Sequence, residues 1–323
     1  MARYLDPKND LTFKRIFGEH PDLLIDFLNA LMPLTPDRQI KEIEYLPTEQ
    51  VPDILGKKNS VVDVKCKDKS DRVFIIEMQM FWTDDFMQRL VFNAGKAYIR
   101  QLKKGDSYNL LHPVYTLAIL NENFDEKTGS FYHHYGIINR ENSDEVIEGL
   151  EFVLVELLKF QSEKWSERKM TALWLRFLKE VDEGMKELPE ELAIHEKIRQ
   201  AAELCEEAGF TPEELAAYEA YWDWVRTEKT LRAGALAQGK KIGLVEGEVI
   251  GMAKGLAKGL AKGESERNKL KFELEAAQAE KEAAQESVVR NCHRAGFSIE
   301  TISTISELTP EQIIEILKGK SAV

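Results

Sequence analysis

Apolar positions in the first 125 residues change their spacing in a way that predicts both helices and strands. Near the start they recur at the helical interval, which predicts helices after Asp6-Pro7 with a break between Gly18 and Pro21. Residues 84–103 keep that interval and predict a further helix. Short runs rich in β-branched and aromatic residues predict strands at 40–46, 61–66, 72–80 and 113–120. The order helix, three strands, helix, strand fits an α/β sandwich around a mixed sheet.

A predicted hairpin carries the most informative polar residues. The runs 61–66 and 72–80 are joined by Lys-Asp-Lys-Ser-Asp, a composition typical of turns. Asp63 lies in the first run and Glu77 in the second, and the strand period of two places Gln79 on the same face as Glu77. A carboxylate in a buried strand is costly unless it is paired, protonated or bound to a cation. Two converging carboxylates beside a polar group indicate a site for a hard cation such as Mg²⁺.

The residues alone leave a second interpretation of these carboxylates open. Asp63 and Glu77 could lie on an edge strand and form surface salt bridges with Lys65 or Arg72. Such pairs contribute little to stability and carry no function. The pattern of apolar and charged positions does not decide between the two interpretations.

Asp63 followed by Glu77-x-Gln79 resembles the signature of the PD-(D/E)xK nucleases, with Gln in the place usually held by Lys. Within that superfamily the chain resembles the recombination-promoting nuclease/transposase family, through the segment Asp-Pro-Lys-Asn-Asp-Leu-Thr-Phe-Lys at 6–14, residues 98–108 and a glycine-rich tract near the end. The resemblance covers nearly the whole chain, and its specific part lies in residues 1–125. It implies a restriction-endonuclease-like core, a mixed sheet flanked by helices, with a helical C-terminal extension.

The resemblance also implies a metal site. Mg²⁺, for which Mn²⁺ can substitute, would be bound by Asp63, Glu77 and the backbone carbonyl of Met78. The implied catalytic residues are Asp63, Glu77, Gln79 and Asp10. In most members of the superfamily the motif lysine orients water or stabilises charge. Gln79 brings no positive charge, and this departure puts the rate in question more than the reaction class.

Three further residues are candidates for a role at the site, and two of them also have a simpler interpretation. Lys65 could supply the missing charge, although a solvated lysine at a strand edge is the commoner case. Asp10 could face the site from the first helix or form a surface pair with Lys14, four residues on. Arg89, on the predicted helix at 84–103, is a candidate for phosphate contact and stands outside the implied catalytic set.

The implied function is that of a metal-dependent DNA endonuclease that hydrolyses phosphodiester bonds and promotes recombination, linked to mobile elements. A protein of a different class also fits: a nuclease-fold protein with weak or no catalysis that acts in nucleic-acid binding or assembly. Gln79 favours this alternative, whereas the intact Asp63 and Glu77 favour the enzyme. No Asp-Asp-Glu transposase pattern is visible.

The charge is unevenly distributed, which matters for DNA as a partner. The net charge is −12, but residues 1–112 carry 17 Lys and Arg against 17 Asp and Glu. Residues 113–229 carry 13 against 26. The excess of acid lies away from the predicted site, so it does not exclude a DNA substrate there. No strong basic patch is visible, so tight metal-free binding of DNA is not indicated.

Four domains are predicted. The nuclease-like core takes residues 1–125, and an acidic, mainly helical subdomain takes 126–229, because apolar residues from 144 onward follow the helical interval. A glycine-repeat and charged helical linker takes 230–287, and a small helical tail takes 288–323. The tail has the spacing of a helix–turn–helix, but its last helix is acidic, which favours a packing role over DNA reading.

Seven glycines recur every four residues from Gly239 to Gly263. Each interior glycine costs a helix about 1 kcal/mol relative to alanine, so an isolated helix here would be marginal. Two interpretations stay open: a helix that joins copies of the chain into a homo-oligomer, and a linker lengthened by repeat slippage.

No apolar run approaches the ~18 residues of a membrane span, and the start lacks the apolar core of a signal peptide. The three cysteines, Cys66, Cys205 and Cys292, are widely spaced and predict no disulfide framework. We therefore expect a cytoplasmic protein that does not insert into membranes.

Overall fold

The computed structural model describes residues 3–50, 60–161 and 170–319. The chain divides into two units, Met1–Leu231 and Arg232–Val323. The first unit holds a six-stranded mixed sheet with helices on both faces. This architecture confirms the predicted fold class. The unit boundary falls just after residue 229, where the third predicted domain begins, and the independence of the predicted domains remains a proposal.

The strands of the first unit are β1 Ile43–Tyr45, β2 Glu49–Gln50, β3 Ser60–Val61, β4 Val64–Asp68, β5 Val73–Gln79, β6 Val114–Leu120, β7 Tyr132–Ile138 and β8 Val146–Glu156. Six of them form one sheet in the order β1-β4-β5-β6-β8-β7, and β2 pairs with β3. β5, β6 and β8 run parallel to one another, and the other neighbours in the sheet are antiparallel.

The helices are α1 Asp10–Glu19, α2 Pro21–Leu31, α3 Phe86–Ile99, α4 Met170–Glu180, α5 Glu190–Ala193, α6 Glu196–Glu203, α7 Pro212–Arg294, α8 Ile299–Ser306 and α9 Pro310–Leu317. The predicted break between α1 and α2 is confirmed, and it lies at His20. The first helix begins later than Asp6-Pro7 predicts. Asn9 is its N-cap and accepts the N–H of Leu11, whereas Asp6 pairs with Lys8.

The two faces of the sheet have separate apolar clusters. α1, α2 and α4 cover one face. Its cluster includes six buried aromatic side chains from these helices and from β5: Phe13, Phe17, Phe27, Phe74, Trp174 and Phe177. α3 covers the other face, where Ile75 of β5 contacts the cluster that contains Ala94 and Ala97. Burial on both faces explains why the central strands read as continuous apolar runs. It also means that residues of β5 alternate between the two helical layers.

The hairpin of β4 and β5 is confirmed. Val64 lies opposite Ile76 and Lys67 lies opposite Val73. Asp68 closes the turn, because its Oδ1 accepts the backbone N–H of Arg72 at 3.0 Å. The strand predicted at 61–66 is interrupted, since it divides into β3 and β4 with a bend at residue 63.

The helix expected from residue 144 is wrong for its first part, because residues 146–156 form β8. Val153 and Val155 point into the cluster on the α1 face, and Leu154 points into the cluster on the α3 face. A strand buried on both faces has apolar residues at nearly every position, so a helical interval can be fitted to it by chance. The segment 126–229 therefore begins with two strands and becomes helical at Met170.

In the second unit the last turns of α7 pack with α8 and α9 around Val289, Ile302 and Ile313. Ser298 caps α8, and Thr309 forms a capping box with Gln312 at the start of α9. The helices predicted in the tail are present. No helix within the described ranges has the length and apolar character to cross a membrane.

Candidate functional site

Asp63 and Glu77 come together at the end of the hairpin. Glu77 is on β5, and its side chain points towards α3. Asp63 lies at the bend one residue before the pair Val64–Ile76, and its Oδ2 accepts the backbone N–H of Met78 at 2.7 Å. Both carboxylates line a cavity of about 610 Å³. Its other lining residues are Ser60, Val61, Met78, Gln79, Asp85, Gln88, Arg89, Phe92 and Asn93.

The bend at Asp63 follows from this hydrogen bond. If β4 extended towards the N-terminus beyond Val64, a backbone carbonyl of that strand would accept the Met78 N–H. The Asp63 side chain accepts this hydrogen bond instead. In an antiparallel pair the N–H and C=O of one residue face the same neighbouring strand. The Met78 carbonyl therefore faces the side on which Asp63 lies. Asp63, Glu77 and the Met78 carbonyl, the three predicted metal ligands, are brought to one edge of the hairpin.

The surroundings of the two carboxylates disfavour their charged forms. Burial raises the pKa of Asp63 to about 7, the Met78 N–H opposes this, and the charges of Glu77 and Asp10 raise it further. Burial also raises the pKa of Glu77, against the hydrogen bond from Asn93 and the charge of Arg89. Two desolvated carboxylates without full compensation are what a bound divalent cation would stabilise.

The number of protein ligands limits the kind of metal site. Within the described ranges, no three His, Cys, Asp or Glu side chains converge as a metal-binding group. Mg²⁺ is commonly held by one or two carboxylates, with water and substrate phosphate in the remaining positions. The donor set of Asp63, Glu77 and Met78 fits that pattern and does not fit a closed structural site.

Asn93 of α3 holds the Glu77 carboxylate. Its Nδ2 donates to Glu77 Oε1 at 3.0 Å, and the residue is 1% exposed. Its Oδ1 has no hydrogen-bond partner among the described residues. A buried amide oxygen beside the Glu77 carboxylate is a further acceptor for a cation or its water.

Gln79 is held by the protein at both ends of its amide. Arg89 Nη2 donates to Gln79 Oε1 at 2.6 Å, and Gln79 Nε2 donates to the carbonyl of Phe81 at 2.6 Å. The Arg89 guanidinium lies 4.0 Å from Glu77 Oε2 and 4.9 Å from the centroid of the Phe86 ring. Gln79 therefore lies in the predicted place, and it orients an arginine there.

Asp10 forms the surface pair of one interpretation, and its place at the site remains a proposal. It forms the predicted surface pair with Lys14, at 2.8 Å between Asp10 Oδ1 and Lys14 Nζ. It lines a neighbouring cavity with Tyr221, while its charge reaches Asp63 and raises the pKa of that residue. Burial, and then the charges of Asp10 and Asp63, raise the pKa of the Tyr221 hydroxyl. Tyr221 and Asp10 thus line the same neighbouring cavity.

The competing partners of the carboxylates lie elsewhere. Arg72 pairs with Asp68, at 2.6 Å between Arg72 Nη2 and Asp68 Oδ2. Lys65 lines a different cavity with Lys67 and Arg100. Burial and the charges of Arg100 and Lys96 lower the pKa of Lys65. These placements remove the basis for the surface-pair interpretation of Asp63 and Glu77.

Sequence reasoning gave Asn93 and Tyr221 no role and left Arg89 outside the catalytic set. A signal existed for two of them, because Arg89 and Asn93 are four residues apart on the helix that follows Glu77 and Gln79, and so share one face. Tyr221 comes from α7, and its distance along the sequence leaves no local signal.

A family model described as PD-(D/E)XK nuclease family transposase matches residues 7–230. The matched range contains both carboxylates, Gln79, Arg89 and Asp10, and it ends close to the boundary of the first unit. No curated protein and no solved structure matches the chain significantly.

Proposed function

Because the chain belongs to the PD-(D/E)XK nuclease family of transposases, we propose that it is a Mg²⁺-dependent endonuclease that hydrolyses phosphodiester bonds of DNA and promotes recombination. The observation that supports this most directly is the convergence of Asp63 and Glu77 in one cavity, where burial raises the pKa of both. Such carboxylates are costly to the fold and are explained by a cation.

In this proposal Asp63, Glu77 and the Met78 carbonyl bind Mg²⁺ or Mn²⁺. The bound cation supplies an activated water and offsets negative charge on the phosphate. The Met78 N–H orients the Asp63 carboxylate, and Asn93 orients that of Glu77. Gln79 completes the motif, and Asp10 adds negative charge that strengthens cation binding at Asp63.

The test is cleavage of supercoiled plasmid by the full chain in Mg²⁺, Mn²⁺, Ca²⁺ or excess chelator. We expect nicking or cutting in Mg²⁺ and Mn²⁺, and none in Ca²⁺, which is larger and less demanding of ideal octahedral geometry. Asp63→Ala and Glu77→Ala should each abolish cleavage. Cleavage that persists in chelator, or an Asp63→Ala protein as active as wild type, would refute the metal mechanism.

Gln79 favours one alternative function, a nuclease-fold protein that binds DNA without cutting it. In that case duplex DNA would bind in Ca²⁺ and in Mg²⁺ with similar affinity, and the plasmid would stay intact in every metal. Fluorescence anisotropy with a labelled duplex, measured beside the plasmid assay, separates the two functions.

A further inference from the structure

The motif of this chain lacks its lysine, yet the cavity contains a positive charge. Arg89 is the one Lys or Arg among the described residues that line it. Its Nη2 atom lies 2.6 Å from Gln79 Oε1, so the guanidinium is fixed directly on the side chain that replaces the lysine. The arginine comes from α3, which places the charge at the motif from the opposite side of the cavity.

The spacing of the two elements explains this placement. Glu77 and Gln79 are two residues apart on a strand, which separates them by about 6.7 Å. Arg89 and Asn93 are four residues apart on a helix, which separates them by about 6 Å along its axis. The two spacings are therefore similar, so each helix residue can reach one strand residue. Asn93 donates a hydrogen bond to Glu77, and Arg89 donates one to Gln79.

Other cations near the carboxylates have different partners. Lys14 pairs with Asp10, and Lys65 lines the cavity that also contains Lys67 and Arg100. Lys96 Nζ donates to Ser60 Oγ at 3.2 Å. Arg89, by contrast, already acts on the site, since its charge lowers the pKa of Glu77 against the effect of burial.

We propose that Arg89 is a catalytic residue that contacts the scissile phosphate in place of the motif lysine, and that Gln79 is a positioning residue that holds its guanidinium. This inference rests on the proposed function. A guanidinium has five N–H donors, and Gln79 uses one of its two terminal nitrogens. The Arg89 side chain is 38% exposed, so a substrate can reach it.

The role of Arg89 is electrostatic. In the hydrolysis, a water oxygen bonds to phosphorus, the bond from phosphorus to the leaving sugar oxygen breaks, and one proton of the water ends on that oxygen. Negative charge grows on the phosphate oxygens between these events. The guanidinium stays protonated throughout and donates to those oxygens, with a geometry that matches phosphate.

The experiment compares Arg89→Ala, Arg89→Lys and Gln79→Ala with wild type in single-turnover cleavage of a duplex in Mg²⁺. We expect Arg89→Ala to slow cleavage by about 10²–10³-fold, because a preorganised donor acts on charge that develops in the transition state. Arg89→Lys should retain part of the rate, and Gln79→Ala should lie between wild type and Arg89→Ala. Arg199→Ala is the matched control, since it removes an exposed arginine of α6 that pairs with Glu203.

A second readout separates catalysis from folding and from DNA binding. The Kd for the same duplex in Ca²⁺ and the Tm of Arg89→Ala should stay close to those of wild type. A loss of affinity as large as the loss of rate would show that Arg89 only binds DNA. Cleavage by Arg89→Ala within about threefold of wild type would overturn the proposal, since that is far below the expected effect.

A rescue variant tests the substitution directly. Gln79→Lys combined with Arg89→Ala restores the lysine of the motif, and it should cleave at least tenfold faster than Arg89→Ala. A double variant no faster than Arg89→Ala would overturn the statement that Arg89 acts in place of the motif lysine. Inactive wild type together with active Gln79→Lys would overturn the role of Arg89 and keep the reaction class. If wild type and Gln79→Lys are both inactive, the proposed function fails as well.

Discussion

The two carboxylates of the site experience different surroundings. Glu77 accepts a hydrogen bond from Asn93 and has Arg89 4.0 Å away. Asp63 accepts the Met78 N–H, but burial and the charges of Glu77 and Asp10 still raise its pKa to about 7. Asp63 is therefore the residue whose ionisation at neutral pH depends most on a bound cation.

This difference predicts a pH-dependent effect of Asp63→Asn on the metal-free protein. The pKa of Asp63 in the folded state, about 7, lies above its ordinary value of 3.8. The protonated Asp63 side chain therefore contributes fully to the free energy of unfolding below pH 4. This contribution is lost as the pH rises from about 4 through 7. The loss is on the order of 1.4 kcal/mol for each pH unit in that window. Asn cannot ionise, so the variant should exceed wild type in Tm at pH 8 and match it near pH 4.

Thermal unfolding in chelator at several pH values measures this effect. Mg²⁺ at pH 8 should then raise the Tm of wild type and leave that of the variant unchanged, since a ligand stabilises only the form it binds. A Tm difference that is constant with pH would argue against a raised pKa. A variant that Mg²⁺ stabilises as much as wild type would place the metal elsewhere.

At the scale of elements, the second half of β8 should behave as a strand buried on both faces, and its start should not. Leu154 is fully buried on the α3 face, whereas Ile147 near the start of the same strand is 66% exposed. Leu154→Ala should cost about 2–5 kcal/mol of unfolding free energy, because it leaves a cavity. Ile147→Ala should change it by less than about 0.5 kcal/mol. Urea unfolding of both variants checks this, and equal effects would contradict the assignment of burial.

How far the sequence predicts the fold depends on whether a segment has one dominant period. The hairpin, α3 and β6 follow clear patterns and lie where the sequence places them. β8 does not, because its burial on both faces removes the alternation that identifies a strand. The same limit applies to the site. Asp63, Glu77 and Gln79 are found from one hairpin, whereas the bond between Arg89 and Gln79 depends on how α3 packs on the sheet.

At the scale of the whole molecule, truncation after Leu231 should leave a folded unit that binds Mg²⁺. Its last helical turns pack on it, since Val225 contacts the cluster of Met80 and Phe81. Truncation after Phe210 removes those turns, so this shorter chain should lose several degrees of Tm. Thermal unfolding of both truncations with and without Mg²⁺ checks the prediction. Equal stability of the two would show that the start of α7 contributes nothing.

The glycine repeat extends this prediction to assembly. If the glycine tract joins copies of the chain, the full chain should sediment as a dimer or larger at micromolar concentration, and the chain truncated after Leu231 should sediment as a monomer. At each of the seven glycines an added Cβ would meet nothing within 4 Å. Leu at Gly247, Gly251 and Gly255 therefore has room for its Cβ among the described residues and raises helix propensity. Loss of the dimer in this variant would locate a contact between copies, and a monomeric wild type would leave the tract as a spacer.

Leu5 and Asp6 are hydrogen-bonded to residues 200 and 212 positions further along the chain. The N–H of Leu5 donates to the Cys205 carbonyl at 2.7 Å, and the N–H of Asp6 donates to the Tyr218 hydroxyl at 2.9 Å. During synthesis, Leu5 and Asp6 leave the ribosome before Cys205 and Tyr218 have been translated, so their N–H groups cannot yet form these hydrogen bonds. At ~5–20 residues per second the delay is roughly ten to forty seconds, long enough for a chaperone to bind the exposed segment. The first unit can thus complete its fold only after nearly all of it has been translated.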